Sequence, residues 1–576
     1  MKKKLWKKRL CQMAGWTLST AIFLSATAGC GTGENASSGS GDSASFDTGV
    51  STQGEFDPKT ITEGQTVTIC VPENIKVEDY NTNSMAKLIE DALGVDLEFT
   101  VLPAADYADK LNVMVTGGDT LTDIIFNPKN VEVWAQEGAI IPLNAYYEDP
   151  NMSANIQEAC ERTGVDIPTY LTSPDGQIYG LPAFGQSPNG EVWKKLWVYQ
   201  PWLDQLGMEV PQKLDEYYEV LKAVATTDMN GNGKADEIGL TGTGILTYNG
   251  CWFDSLMSSF IYAHDSEFRV LNDGKISFAY TTEEWKEGLK YIKRFFDDGL
   301  IPVETLTQND EQYKAMLNSA DTTVFSFSYW NADLMNADLL DRKLEYTYIN
   351  ALEGPSGLKE GMYMPAVPSV GAVITADCEN PDAAFLVCDY MCNESLSFSQ
   401  RFGERGVDWD YFDEAKVENK GDYIATDPNE SILLVAYDDA AFWGSGTVQN
   451  RSFLDAGCYV RQREMVTRLA VNIADTNPEE VKKREYSEIY AEATAAGQAV
   501  ARKDVVSYLP LTVEESEQIA DIKTTLSTYL PESIAAFLSG SRDIDNEWEA
   551  YLAELDQIGY QEVLETYQVA YDRLYK

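Results

Sequence analysis

From Thr66 the chain runs Thr-Val-Thr-Ile-Cys-Val to Val71, a short β-branched stretch that predicts a buried strand. Apolar residues then recur at helical spacing from Asn83 to about Leu93, and Val95 to Val101 alternates as a strand does. A second helical stretch covers about Asp106 to Val115 and is stopped by Gly117-Gly118, after which Asp123-Ile124-Ile125-Phe126 predicts a third strand. Strand, helix, strand, helix, strand is the order of a mostly parallel sheet flanked by helices, because parallel neighbours need a crossover between them. The alternation returns from Lys195 to Val224 and from Ser369 to Met391. Near the far end, Pro510-Leu511-Thr512 followed by Glu514 and Glu515 predicts a helix start, with acidic side chains where the helix dipole favours them. Residues 506–576 are read as helices packed back onto the body.

The first thirty residues follow another logic. Lys2, Lys3, Lys4, Lys7, Lys8 and Arg9 precede an apolar run from about Met13 to Ala28, too short for a comfortable membrane span, which reads as a signal peptide. Its end, Ala26-Thr27-Ala28-Gly29-Cys30, resembles a lipobox, with Thr27 where Leu is usual. That resemblance implies cleavage before Cys30 and a diacylglycerol on its sulfur. Residues 31 to about 56, rich in Gly, Ser, Thr and Asp, then read as a flexible tether.

Composition narrows the function. Lys and Arg total 44 against 92 Asp and Glu, a balance that repels phosphate backbones and anionic headgroups, so nucleic acid is excluded as a partner and the acidity reads as solvated surface. Beyond Cys11 and Cys30, seven cysteines are scattered in odd number, which is no disulfide framework; Cys388 and Cys392 share a helical face and read as small buried hydrophobes. His264 is the only histidine and stands beside no nucleophile elbow. Walker, dinucleotide and His-Glu-x-x-His sequences are missing, and with 92 acidic residues a carboxylate pair carries no information about glycoside hydrolysis.

One loop has chemistry of its own. Asp228-Met229-Asn230-Gly231-Asn232-Gly233-Lys234-Ala235-Asp236-Glu237 places side-chain oxygens at its first, third, fifth and ninth positions and Gly at the sixth, the spacing by which a turn wraps calcium. The twelfth position is Gly239, so the closing bidentate ligand has to be Glu237 or come from elsewhere. Asp228, Asn230, Asn232, Lys234, Asp236 and Glu237 are the expected metal set, the role structural; the alternative is an Asn-Gly turn that needs no ion.

Five landmarks in order carry a family resemblance. Asp119 to Ile125, Asp175-Gly176-Gln177-Ile178-Tyr179-Gly180-Leu181-Pro182 and Trp202-Leu203-Asp204-Gln205-Leu206-Gly207 look like successive landmarks of family 1 extracellular solute-binding proteins. Gly403 to Trp409 and the tail from Tyr560 through Arg573 resemble the oligosaccharide-type members with long C-terminal helices. The resemblance covers the chain from about residue 65 to its end. It implies an α/β, two-lobed type II periplasmic-binding-protein fold with extra C-terminal helices, its ligand held beyond the carboxyl ends of the strands. The boundaries expected are 1–29 signal peptide, 30–59 lipid-anchored tether, 60–190 first lobe with a return at 366–412, 191–365 second lobe with a return at 413–505, and 506–576 C-terminal helices.

The implied function is that of a receptor: the lipid-anchored, extracellular substrate-binding protein of an ABC importer, a monomer that captures a sugar and delivers it to transmembrane permease subunits. A surface carbohydrate sensor or adhesin without a permease, or a glycan-cleaving enzyme, are the alternatives. A sugar cleft mixes aromatic faces for C–H groups with fixed donors and acceptors for hydroxyls. Three stretches combine them in expected loops, 249–254, 326–331 and 442–451, giving Trp252, Asp254, Tyr329, Trp330, Trp443, Gln449, Asn450 and Arg451 as candidate contacts, with Asn127 facing them from the other lobe. Trp134, Trp285 and Trp548 fall at core spacing in helical stretches and are expected in the interior.

Overall fold

The computed structural model describes residues 56–576 apart from 186–187, 235, 248–250, 263–269, 273, 330, 333, 417–419, 421–422, 425–430, 435–447, 462–470 and 473–475. The leader, Cys30 and the tether lie outside the described residues, as do His264, Trp330 and Trp443.

Two sheets organise the body. The first is built from β1 (Thr66–Pro72), β2 (Asp96–Leu102), β3 (Ile124–Phe126) and β4 (Gly180–Gly185), and the second from β5 (Lys195–Tyr199), β6 (Ile238–Thr241), β7 (Val324–Tyr329) and β8 (Tyr346–Ile349). The chain then re-enters the first sheet as β9 (Ser369–Ile374) and β10 (Tyr459–Arg461). Strand order is β10-β4-β9-β3-β1-β2 in the first sheet and β8-β5-β7-β6 in the second. β1 pairs in parallel with β2 and β3, and β10 with β4, while β9 runs antiparallel between β3 and β4. In the second sheet β6 and β7 are parallel and β5 runs against β7 and β8.

The β-α-β-α-β reading of residues 66–126 holds nearly to the residue. Asn83 caps the helix Ser84–Leu93 by accepting from the Met85 N–H, and Gly94, at φ 69°, ends it in the left-handed region that glycine adopts without a Cβ clash. Met85, Ala86, Ile89 and Leu93 form the buried face, as the i, i+3, i+4 spacing requires. Trp134, Trp285 and Trp548 are in the interior as expected, and Cys388 and Cys392 are fully buried free thiols.

Two expectations need revision. The strand Tyr459–Arg461 belongs to the first sheet, whereas the sequence grouped its neighbourhood with the second lobe. The stretch around Trp252 is a helix, Cys251–Met257, rather than a loop.

Sheet order also fixes where the chain crosses between sheets. β4 leads into β5, β8 leads into β9, and after β10 the chain reaches the helix Pro478–Val500, which packs on β8. All the crossing strands lie at one edge of each sheet, so β2 and β6 mark the edges farthest from the connections. The C-terminal helices Val513–Ser539, Ile544–Ile558 and Tyr560–Tyr575 extend the second core: Ile519, Leu526, Phe537, Trp548 and Tyr567 share one buried cluster with Trp197, Tyr217 and Phe327. Thr512 and Glu515 start the first of them as a reciprocal capping box. Among the described residues no helix is long and apolar enough to cross a membrane.

Candidate functional site

In open α/β sheets ligands bind beyond the carboxyl ends of parallel strands. At that end of the first sheet, Asn127 follows β3 with φ at 52°, its N–H donating to the Gly371 carbonyl at 2.7 Å and its Oδ1 accepting from the Gly457 N–H at 2.9 Å. Gly457 lies so close to the Phe126 ring that a Cβ there would approach it to 2.7 Å. Leu454 and Asp455, at φ 52° and 65°, complete a cluster of positive-φ residues other than glycine. Such backbone costs about 1–3 kcal/mol per residue and persists only where surroundings impose it. Here the imposing contacts are the Asn127 clasp and an ion pair from β10: Arg461 Nη1 and Nη2 meet the Asp455 carboxylate at 2.6 and 2.9 Å, and the guanidinium sits 4.1 Å from the Tyr459 ring centre. Burial opposes the charge on Arg461, yet the Asp455 and Tyr459 partners hold it above its ordinary range.

The expected contacts Gln449, Asn450 and Arg451 are tied into the same lobe. Gln449 exchanges main-chain hydrogen bonds with Lys76 and Glu78 at 2.8 and 2.9 Å. Asn450 donates from Nδ2 to Thr82 Oγ1 at 2.9 Å and accepts at Oδ1 from the Asp79 N–H at 3.2 Å. Arg451 pairs with Asp408, which is nearly buried. The segment therefore buttresses the loop after β1 and helps shape the end of the sheet.

At the corresponding end of the second sheet, two expected contacts turn out to be interior. Trp252 is 0 % exposed, its indole N–H donates to the Thr243 carbonyl at 2.8 Å, and its ring packs edge-on against Phe253 and Phe296. A ring so enclosed has no face left for a sugar; helical spacing turns it inward. Asp254 is 2 % exposed and forms a buried ion pair with Lys194 at 2.5 Å. Tyr329, half-buried at the end of β7, receives the Trp197 indole N–H on its carbonyl at 3.0 Å. Lys194, and Trp193, whose indole N–H donates to the Met364 sulfur at 3.4 Å, carry no signal in the pattern of residues, because both lie in the crossing before β5.

The acidic loop is wrapped as its spacing predicts. Asp228 accepts from the N–H groups of Gly231, Asn232 and Gly233 at 2.8, 3.1 and 2.9 Å. Glu237 Oε1 accepts from Met229 and Asn230 at 2.7 and 3.2 Å, closing the loop on itself. The amide nitrogens of Asn230 and Asn232 both face Asp236, at 3.1 and 3.2 Å from Oδ1. Lys234 donates its N–H to Asn232 Oδ1 at 2.8 Å. Among the described residues no three His, Cys, Asp or Glu groups converge as a metal cluster; the donor set of this loop is instead a mixture of carboxylate and amide oxygens, chemistry that suits a hard cation such as calcium.

Comparison with known proteins follows the same lines. A family model described as bacterial extracellular solute-binding protein matches residues 79–395. The fructooligosaccharide ABC transporter substrate-binding protein FusA of Streptococcus pneumoniae is 25% identical over 523 residues, covering 86% of this chain and 88% of FusA. A solute-binding protein of Bifidobacterium longum infantis, described as binding HMO and associated with an ABC transporter, superposes with a TM-score of 0.69 at 20% identity, over 89% of this chain and 100% of that one. FusA itself, solved as an EF-hand mutant with fructo-nystose, superposes at 0.61 and 22% identity over 88% and 99%. These two structures establish the fold as that of two-lobed solute-binding proteins.

Proposed function

This chain belongs to the bacterial extracellular solute-binding proteins, and from that premise we propose that it is the substrate-binding receptor of an ABC importer, taking an oligosaccharide between its two sheet-built lobes. The observation that carries the reading is the topology. The crossings leave and enter at one edge of each sheet, through β4, β9 and β10 on one side and β5 and β8 on the other, an arrangement in which the carboxyl ends of the two sheets can serve as walls that close over a ligand. FusA, alike over most of both chains, supports a sugar as the ligand. Tyr329, Trp330 and Trp443 supply the proposed stacking faces and Asn127 a polar contact, while Trp252 and Asp254 support the wall from within. Capture here is reversible and leaves the ligand unaltered.

Two further parts complete the proposal. A lipid on Cys30 holds the protein at the outer face of the membrane beside its permease. The Asp228–Glu237 loop holds a structural calcium ion, with the amides of Asn230 and Asn232 presenting oxygen in place of the hydrogen bonds they now give Asp236. FusA has an EF-hand that was mutated in one of its structures, which supports the same role in this loop.

A panel of oligosaccharides is the direct test. Calorimetry should show saturable binding of at least one of them, and chromatography afterwards should recover it unchanged. Steady product release would move the protein to the enzymes, and absence of binding across the panel would remove the receptor reading. For the anchor, Cys30→Ser should free the protein from the membrane fraction or leave it unprocessed; a processed, membrane-bound variant would overturn the anchor.

A further inference from the structure

The second sheet ends, at the edge farthest from the crossings, in a cavity of about 770 Å³. One wall is the turn after β6, from Thr243 to Thr247; a second is the stretch 306–311, and Pro531 of the C-terminal helix Val513–Ser539 closes the back. The volume lies within the range of about 300–1,000 Å³ typical of small-molecule sites. β6 is parallel to β7, so the cavity opens on the same end of the sheet as Tyr329.

The walls are held firmly. Gln308, nearly buried, donates from Nε2 to Thr241 Oγ1 at 2.8 Å and also to the Gly242 carbonyl. Thr243 and Thr247 share a hydroxyl contact at 3.0 Å, Thr247 also donates to the Gly244 carbonyl at 2.8 Å, and Leu246 sits at φ 53°. Asn309 caps the helix Asp310–Leu317 with its own side chain, so the helix end is already satisfied.

The charge of the lining is one-sided. It carries the carboxylates of Asp310 and Glu311 and, among the described residues, no lysine or arginine. Lys314 reaches Glu311 at 3.8 Å from a turn further along, but both side chains are exposed and such a pair neutralises little. An anionic ligand entering here would lose hydration beside two like charges, within a chain that already carries 92 acidic against 44 basic residues. Neutral hydroxyls, in contrast, meet the exposed Thr247 and Thr307 side chains and the carboxylate acceptors on the walls, with an apolar surface on Pro531.

We propose that this cavity is an outer subsite for neutral oligosaccharide chains, receiving the units that extend beyond the cleft between the lobes, and that its carboxylates turn uronate chains away. The proposal rests on the receptor reading above and adds the substrate class and a preference for length. It also gives the C-terminal helices a task at the site, since Pro531 comes from them.

The test is a length series. Dissociation constants are measured by calorimetry for fructo- and xylo-oligosaccharides from disaccharide to hexasaccharide and for oligogalacturonates of matched length. A neutral series should tighten by about tenfold or more between its short and long members, equivalent to about 1.4 kcal/mol. Thr247→Trp fills the exposed rim of the cavity and, although it gives up the hydroxyl contacts to Thr243 and Gly244, should erase that gain while leaving the short member's affinity unchanged; Thr307→Trp, on the opposite wall, serves where the first variant folds poorly. The double variant Asp310→Asn, Glu311→Gln should narrow the gap between neutral and uronate chains. Oligogalacturonates binding as tightly as neutral chains, or a length gain that survives both filling variants, would overturn the subsite. A flat length profile with firm short-chain binding removes the subsite alone, whereas no binding of any sugar removes the receptor reading beneath it.

Discussion

At the scale of single residues, burial decides what a side chain can do. Trp252 and Trp330 look alike in sequence, each beside small polar residues, and only the helix Cys251–Met257 turns Trp252 inward. Trp252→Ala should therefore cost about 3–5 kcal/mol of stability through the cavity it leaves, with ligand affinity of the folded fraction intact. Trp330→Ala should cost about 2 kcal/mol of binding and little stability. Paired denaturation and calorimetry separate the two, and a Trp252 variant that is stable but no longer binds would reverse its assignment. Asp389 offers a second test. Burial is the largest influence on it and pushes its carboxyl up to about 6, against hydrogen bonds from the Asn155 side chain and the Ile156 and Asn155 N–H groups. A carboxyl raised in the folded state binds its proton more tightly there than in the unfolded chain. Its cost is thus nil below the unfolded value of 3.8 and grows as pH rises through the window up to about 6, reaching about 3 kcal/mol. Asp389→Asn should lose that slope, so the stability difference between the two proteins should shift in the variant's favour from pH 4 to pH 7; a constant difference would show that Asp389 does not titrate there.

At the scale of elements, local pattern was a good guide where one face is buried and a poor one where contacts are distant. The β1 to β3 unit was legible because β-branched runs, helical spacing and the Gly117-Gly118 stop all agreed. Strand β10 was not, because three residues, Tyr459, Val460 and Arg461, give no periodicity, and its partner Ala183 to Gly185 lies far away in sequence. The acidic loop was legible as a wrapped turn, since the Asp and Asn side chains meet N–H groups only two to five residues on. Its occupancy is open to direct measurement. If calcium binds there, chelation should lower the melting temperature and added calcium restore it, with a stabilisation of about 2.7 kcal/mol at a hundredfold excess over the dissociation constant. Asp236→Asn should abolish the response, because it removes the carboxylate that both Asn230 and Asn232 face. Chelated and calcium-loaded protein melting together would leave the loop as a metal-free turn.

At the scale of the whole molecule, the crossings form a laced strip rather than loose linkers. Met364 donates its N–H to the Glu191 carbonyl at 2.8 Å, Gln498 donates to Glu191 Oε2 at 2.9 Å, and Gly361 bridges to Ala501. Arg502 pairs with Asp504 at 2.7 Å and Glu360 at 3.4 Å, and Tyr508, which leads into the C-terminal helices, donates to the Thr172 carbonyl on the first lobe at 3.1 Å. Three strands of chain tied in this way can bend together but twist only at the cost of these bonds, which favours a hinge over a free rotation. A ligand that contacts both walls gains its full set of contacts only when they approach, and that differential affinity is what shifts the equilibrium. Saturating oligosaccharide should therefore reduce the radius of gyration measured by X-ray scattering. Tyr508→Phe, which removes only the hydrogen bond to Thr172, should preserve the ligand-bound value and raise the ligand-free one. A profile unchanged by ligand in the wild-type protein would mean that the lobes are rigid, and the protein would then be a fixed carbohydrate-binding surface instead of a closing receptor.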